Sequence, residues 1–220
     1  MQSMPANELG IPAREIDAVV FDLGNVLIDW NPRHLYRKLF DGDETRMEWF
    51  LREVCHSEWN ECQDAGRPWD AAIEEAIARH PNEAPFIRAY REQWTEMLGG
   101  AIEETVAVLD ALRSRDVRLL ALTNWSQETF PIARERFHFL SWFEGILVSG
   151  EERLIKPDPA IFRLLIARFA LEPTRTLFID DNPRNVEGAR QVRLRSVRFT
   201  SAAQLRRDLV ALGIGIEHEQ

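Results

Sequence analysis

The apolar run AVVF at 18–21 ends on Asp22, and the run LLAL at 119–122 ends on Thr123 followed by Asn124. LIKPDPAIF carries Lys156, and TLFIDDNPRNVEGA carries the adjacent Asp180 and Asp181. Short apolar runs that deliver a polar residue at their ends have the pattern of buried strands handing side chains to loops. One such FDxG stretch alone reads as a strand whose last residue caps a turn. Four in this order read as one site, because open parallel sheets gather their chemistry outside the carboxyl ends of the strands. Asp22, Thr123 and the 180/181 pair then share an edge, and Lys156 enters on a loop before a helix. Carboxylates brought together this way need raised pKa values or a cation. A hard divalent ion with oxygen ligands, Mg²⁺ above all, resolves that conflict and also accepts phosphate oxygens. The Thr123 hydroxyl, the Asn124 backbone N–H and the Lys156 ammonium complete a cradle for a phosphoryl group.

The elements that must position these residues alternate. Strands are expected at 117–122, 145–148, 176–180 and 195–199, after the first strand that ends at Asp22. Helices are expected at 101–112, 127–137, 159–169, 185–192 and 202–212. Asp158 followed by Pro159 has the form of a helix cap and first helical position. Between a turn-rich exit at 24–32 and Gly99-Gly100, which reads as a hinge, apolar residues such as Leu35, Leu39, Phe50, Trp59, Ile73 and Tyr90 recur at helical intervals. The fold class that follows is α/β: a doubly wound, Rossmann-like parallel-sheet core at 1–30 and 100–220, with a small helical domain at 31–99 inserted after the first strand. Four of the seven Trp residues (49, 59, 69 and 94) lie in that insertion, as packing anchors for its helices. Residues 1–16 read as a loose lead-in and 214–220 as a frayed tail.

Composition narrows the function. Of 220 residues, 45% are hydrophobic, and 27 Lys plus Arg against 36 Asp plus Glu give a formal charge of −9. That charge repels nucleic acid and anionic membranes, so an anionic substrate needs locally gathered cations. No apolar run approaches the roughly 20 residues a membrane helix needs, and the polar N-terminus resembles no signal peptide, so a cytoplasmic location is expected. Cys55 and Cys62 are spaced unlike a CxxC site and read as free thiols. The Asp41, Asp43, Glu44 cluster lacks the later ligands of a calcium loop and reads as a solvated helix start. Gly213 and Gly215 lack the following helix of a dinucleotide site.

Together the stretches resemble the haloacid dehalogenase-like (HAD) hydrolases that carry a small helical (C1-type) cap after the first strand. LTNWSQETFP, SGEERLIKPDPAIF and FIDDNPRNVEGA, with the FDLGNV opening, are similar to a branch whose members include an alpha-D-glucose-1-phosphate phosphatase. The resemblance implies a Mg²⁺-dependent phosphatase acting on a small, sugar phosphate-like ester. In it Asp22 attacks phosphorus to form an aspartyl-phosphate that water hydrolyses. It implies Mg²⁺ held by Asp22, the Gly24 carbonyl and Asp181, with Asp180 acting directly or through water. Lys156 neutralises charge, Thr123 and Asn124 orient the phosphate, and Asn185 supports the acidic pair.

One position departs from the family pattern. Most phosphatases of this family carry a second Asp two residues after the nucleophile as general acid, a role that contributes about 10²–10⁴-fold. Here that position is Gly24, so leaving groups that need little protonation are expected: an anomeric sugar phosphate, or an acyl or aryl phosphate. Asp29 is a candidate substitute acid, with turn and cap contacts as its alternative role. Two other readings compete. A metal-independent 2-haloacid dehalogenase also lacks the second Asp, and Arg52 could serve its halide, but it does not keep the 180/181 pair. A phospho-acceptor signalling module joins similar groups in a different chain order and lacks a helical insertion. Trp59, Asn60, Asp64 and Arg67, which mix an aromatic face with hydrogen-bonding groups, and Trp125 beside Asn124 are candidates for contacts to the substrate. Oligomeric state is not legible.

Overall fold

The computed structural model describes residues 16–215, so the expected lead-in up to residue 15 and the tail from 216 lie outside the described residues. Along the chain, β1 (Ala18–Phe21) is followed by β2 (Ile28–Trp30) and five helices. These are α1 (Arg33–Leu39), α2 (Glu44–Glu53), α3 (Ser57–Asp64), α4 (Trp69–Arg79) and α5 (Ala84–Glu92). Then come β3 (Leu98–Ala101), α6 (Glu103–Arg113), β4 (Arg118–Thr123), α7 (Phe130–Arg136), β5 (Gly145–Val148) and α8 (Ser149–Glu152). The chain closes with α9 (Pro159–Arg168), β6 (Thr176–Asp180), α10 (Pro183–Gln191), β7 (Arg195–Arg198) and α11 (Ala202–Ala211). None of the helices among the described residues is long and apolar enough to cross a membrane.

Five strands form one parallel sheet in the order β5-β4-β1-β6-β7. The chain reverses its direction of winding at β1, and the crevice between β1 and β6 is where such sheets place a ligand. Register sets the site. Phe21 is paired with Ala121 and Ile179, so the next residues, Asp22, Leu122 and Asp180, arrive side by side. Alternate strand residues feed two cores. Val19, Phe21, Ala121, Leu177 and Ile179 face one, and Val20, Leu120, Leu122 and Phe178 face the other with Ile161, Phe162 and Leu165 of α9. Both faces are covered, which is why these strands are continuous apolar runs.

The first core continues without a break into the inserted helices. There Tyr36 lies 4.7 Å from Phe50 and Trp59 lies 5.1 Å from Tyr90, ring centre to ring centre. Aromatic pairs at such spacing add about 0.5–1.5 kcal/mol beyond the area they bury. Asp158 caps α9 by accepting from the Ala160 N–H at 2.8 Å, with Pro159 at the first helical position. Asp43 caps α2 in the same way, so the acidic cluster there is a helix start.

Three local expectations change. The turn-rich exit and the Gly99-Gly100 hinge are instead the two strands of an antiparallel ribbon, with Ile28 opposite Ala101 and Asp29 opposite Gly100. Gly99 makes room there for the Asp29 carboxylate, since a Cβ would lie 2.0 Å from its Oδ2. Helix α7 begins at Phe130 rather than 127, because the Ser126 carbonyl is met by the Thr129 and Phe130 N–H groups in a turn. Ile214 is buried, its N–H bonded to the Leu209 carbonyl, so the chain is still packed at the start of the expected tail.

Candidate active site

Lys156 is the centre of the site. Its ammonium lies 2.9 Å from Asp22 Oδ1 and 2.7 Å from Asp180 Oδ2, and donates to the Leu122 carbonyl at 3.0 Å. All three N–H donors are thus used, and the side chain is 1% exposed. Its loop is held by a two-way bracket: the Lys156 N–H donates to Asn124 Oδ1 at 2.9 Å, and Asn124 Nδ2 donates to the Lys156 carbonyl at 3.0 Å. That role for the Asn124 side chain has no sequence signature, because its partner is a backbone 32 residues away. Behind the loop, α10 passes so close at Gly188 that a Cβ would lie 2.5 Å from the Pro157 carbonyl. Gly188→Ala is therefore expected to cost about 1–3 kcal/mol in denaturant unfolding. By shifting Lys156 it should also lower kcat by up to about 10²-fold. Unchanged kcat would mean the loop does not depend on that contact.

Asp180 is fully buried and saturated. Its oxygens accept from Lys156, from the Asn182 N–H at 2.9 Å and from Asn185 Nδ2 at 3.1 Å to each oxygen. Asp22 Oδ1 meets Lys156 and accepts from the Leu23 N–H at 2.7 Å, and Oδ2 accepts from neither. Carboxylate oxygens of Asp22, Asp180 and Asp181 all lie within 4.8 Å of one another. This donor set fits a hard divalent cation such as Mg²⁺. Asp22 and Asp181, together with Gly24, which borders the same cavity, could hold it, while Asp180 orients Lys156 from behind.

The electrostatics agree with that fit. Burial pushes the Asp22 carboxyl up to about 8, against the pull of Lys156 and with Asp180 and Asp181 adding to the rise. Burial and then Asp180 raise Asp181 as well. Burial works against the Lys156 ammonium, but Asp180 and Asp22 outweigh it and hold its pKa above the ordinary value. One buried ammonium offsets one carboxylate, so the cluster holds a proton more tightly than a solvated carboxylate would, a cost that a further cation would relieve.

A cavity of about 750 Å³ opens over these groups. Asp22, Thr123, Asn124, Lys156 and Asp181 line its sheet side, and Asn60, Asp64 and Arg52 are among the lining residues from the insertion. Arg52 pairs with Glu53 at 2.7 Å. Two of the residues expected on the substrate side stand elsewhere. Trp59 is buried between Trp69 and Tyr90, and Arg67 bonds Glu75 and Gln63. Asp29, the candidate substitute acid, pairs with His34 Nε2 at 2.9 Å in the ribbon and does not border the cavity. Cys55 borders the cavity as a buried thiol, its pKa pushed up by burial, and Cys62 is exposed.

Asp64 and its neighbours latch the insertion to the core. Asn60 Nδ2 donates to Asp64 Oδ2 at 3.0 Å, the Ser126 N–H bonds the Asp64 carboxylate, and Ser149 Oγ donates to the Asp64 carbonyl at 2.5 Å. Burial, then the nearby Glu61, raise this carboxyl from its ordinary 3.8 to about 7. A raised native pKa means the folded protein binds the proton more tightly than the unfolded chain, so stability falls as pH rises between those values. Between pH 5 and 7.5, with Mg²⁺ present, the melting temperature of the wild type should fall more steeply than that of Asp64→Asn. Parallel curves would contradict the assignment.

The chain belongs to the haloacid dehalogenase-like hydrolases, whose family model matches residues 16–193. Among its relatives, the drimenol cyclase drtB of Aspergillus calidoustus is 27% identical over 88% of this chain, which spans only 36% of that protein. The sesquiterpene phosphatase astK of Aspergillus oryzae is 25% identical, with 84% of this chain and 90% of that one covered. Human N-acylneuraminate-9-phosphatase is 27% identical, covering 76% and 74%. A solved structure described as a predicted HAD-like family hydrolase from Porphyromonas gingivalis superimposes with a TM-score of 0.69 at 22% identity, covering 90% of this chain and 98% of that one.

Proposed function

We propose that this hydrolase is a Mg²⁺-dependent phosphatase that cleaves a small phosphate monoester through an aspartyl-phosphate on Asp22. The observation that carries the proposal is the convergence of three carboxylates within 4.8 Å around a buried lysine 2.9 Å from Asp22. The intact Asp180-Asp181 pair favours this reading over a metal-free dehalogenase. Two relatives that match over most of their length carry names of phosphatases, one for a terpene and one for a sugar acid.

In this mechanism Asp22 and Asp181, with the Gly24 carbonyl, would hold Mg²⁺. When bound there, the ion would supply positive charge that favours the ionised form of Asp22 and would polarise the phosphoryl oxygens. Asp22 Oδ2 then attacks phosphorus in line, and the ester oxygen departs. Lys156 holds Asp22 Oδ1 in place and offsets its charge, and Asp180 and Asn185 fix Lys156. Thr123 and the Asn124 N–H orient the phosphoryl group, and water attacks phosphorus in the second half-reaction. Residues 31–99 act as a cap that shields the first half-reaction from solvent.

Chelation tests the proposal. EDTA should abolish turnover of phosphate esters, and Mg²⁺ should restore it. Ester hydrolysis that persists without metal, or metal-free dechlorination of 2-chloropropionate, would overturn it.

A further inference from the structure

A second, smaller cavity of about 70 Å³ opens beside Gly24 and continues the main one, sharing Gly24, Trp30, Asn60, Asp64 and Asn124. Its inner wall belongs to it alone: Trp69 from α4, Trp94 from the turn after α5, and Trp125 from the loop after β4. All three indoles are nearly fully buried, and the Trp94 and Trp125 rings lie 5.5 Å apart. The polar edges of two are already spent. Trp69 Nε1 donates to Ser126 Oγ at 3.1 Å, and Trp125 Nε1 donates to Thr129 Oγ1 at 3.1 Å. What this annex offers a ligand is mostly aromatic carbon, with the amides of Asn60 and Asn124 and the carboxyl of Asp64 where it joins the main cavity.

A Cβ at residue 24 would meet nothing within 4 Å, so the glycine leaves open the space between the phosphoryl site and the annex. A dry apolar cavity of about 150 Å³ holds a whole benzene. An annex half that size takes the leading part of a flat ring whose remainder stays in the main cavity.

We propose that this annex is the leaving-group subsite and that the substrates are phosphate monoesters of compact, planar, apolar groups, aryl phosphates above all, rather than sugar phosphates. The inference rests on the phosphatase reading of the neighbouring carboxylates and names its substrate class. A sugar ring seated against three indoles, two with their N–H groups already used, leaves most of its hydroxyls without partners, a cost that selects against it. An aryl oxide also departs without a proton, which suits a position 24 that carries no carboxyl.

The test uses inhibitors that have no leaving group, with Mg²⁺ present and phenyl phosphate as reporter substrate. Benzylphosphonate should inhibit at least about tenfold more tightly than methylphosphonate, the scale set by one apolar group in a fitted pocket. Trp94→Ala should remove most of that advantage while leaving the methylphosphonate constant unchanged. Trp94→Phe, with its fold checked by circular dichroism, serves where the alanine variant does not fold, and should lower the advantage partway. Equal inhibition by the two phosphonates, or an advantage indifferent to residue 94, overturns the inference and leaves the phosphatase reading standing. Absence of both phosphonate binding and phenyl phosphate turnover overturns the inference, and only absence of Mg²⁺-dependent turnover of every phosphate ester offered overturns the phosphatase reading with it.

Discussion

Asp22→Asn should retain its fold and lose on the order of 10⁴-fold or more in kcat, the scale on which enzymes lose a covalent nucleophile. Asparagine has the size of aspartate and keeps an oxygen for the Leu23 N–H, while Lys156 still has Asp180 at 2.7 Å. What it removes is the oxygen that attacks. Stability separates this loss from misfolding. Because burial holds the native carboxyl near 8 against an ordinary 3.8, the native state binds the proton more tightly, and the wild type without metal loses stability as pH rises through that interval. The amide does not ionise, so the metal-free variant should melt at or above the wild-type temperature at pH 8. Residual activity within tenfold of wild type would remove Asp22 from the chemistry.

Lys156→Met should damage both the fold and the reaction. The ammonium is 1% exposed and faces two carboxylates, so its loss leaves negative charge buried without a partner. Breaking such a cluster costs about 3–5 kcal/mol. The chain has two ways to reduce that cost: protonating Asp22, already disposed to hold a proton, or binding a cation. Denaturant unfolding of the variant should therefore gain more from added Mg²⁺ than unfolding of the wild type. With Mg²⁺ saturating, kcat should still fall by about 10²–10³-fold, as when one preorganised donor is lost from a reacting centre. A variant as stable as wild type without metal would mean that Lys156 does not carry the charge balance assigned to it.

The parts of the protein written in local pattern were legible in advance. The strands that end at Asp22, Thr123 and Asp180, the cap at Asp158 and the helical insertion each announce themselves through runs or periodicity of neighbouring residues. The β2–β3 ribbon does not, because it joins Ile28–Trp30 to residues about 70 positions later, and Gly99-Gly100 has the composition of a turn. Trp59, Asn60, Asp64 and Arg67 share one stretch that mixes an aromatic with hydrogen-bonding groups, yet of these only Asn60 and Asp64 border the cavity. Periodicity reports which residues share a face, not which face meets the core. Of the tryptophan annex only Trp125 is a candidate from sequence, since the three indoles come from separate elements and converge only through tertiary packing. Asn124 was assigned a backbone role, and its side chain turns out to fasten the Lys156 loop.

Trapping the covalent intermediate tests the central claim most directly. The enzyme, mixed with phenyl phosphate and Mg²⁺ and quenched in acid within the first turnover, should gain one phosphoryl group on the peptide that contains Asp22. The Asp22→Asn protein should gain none. Turnover of the ester with no phosphoryl group on that peptide, or with the group on another residue, would contradict the account.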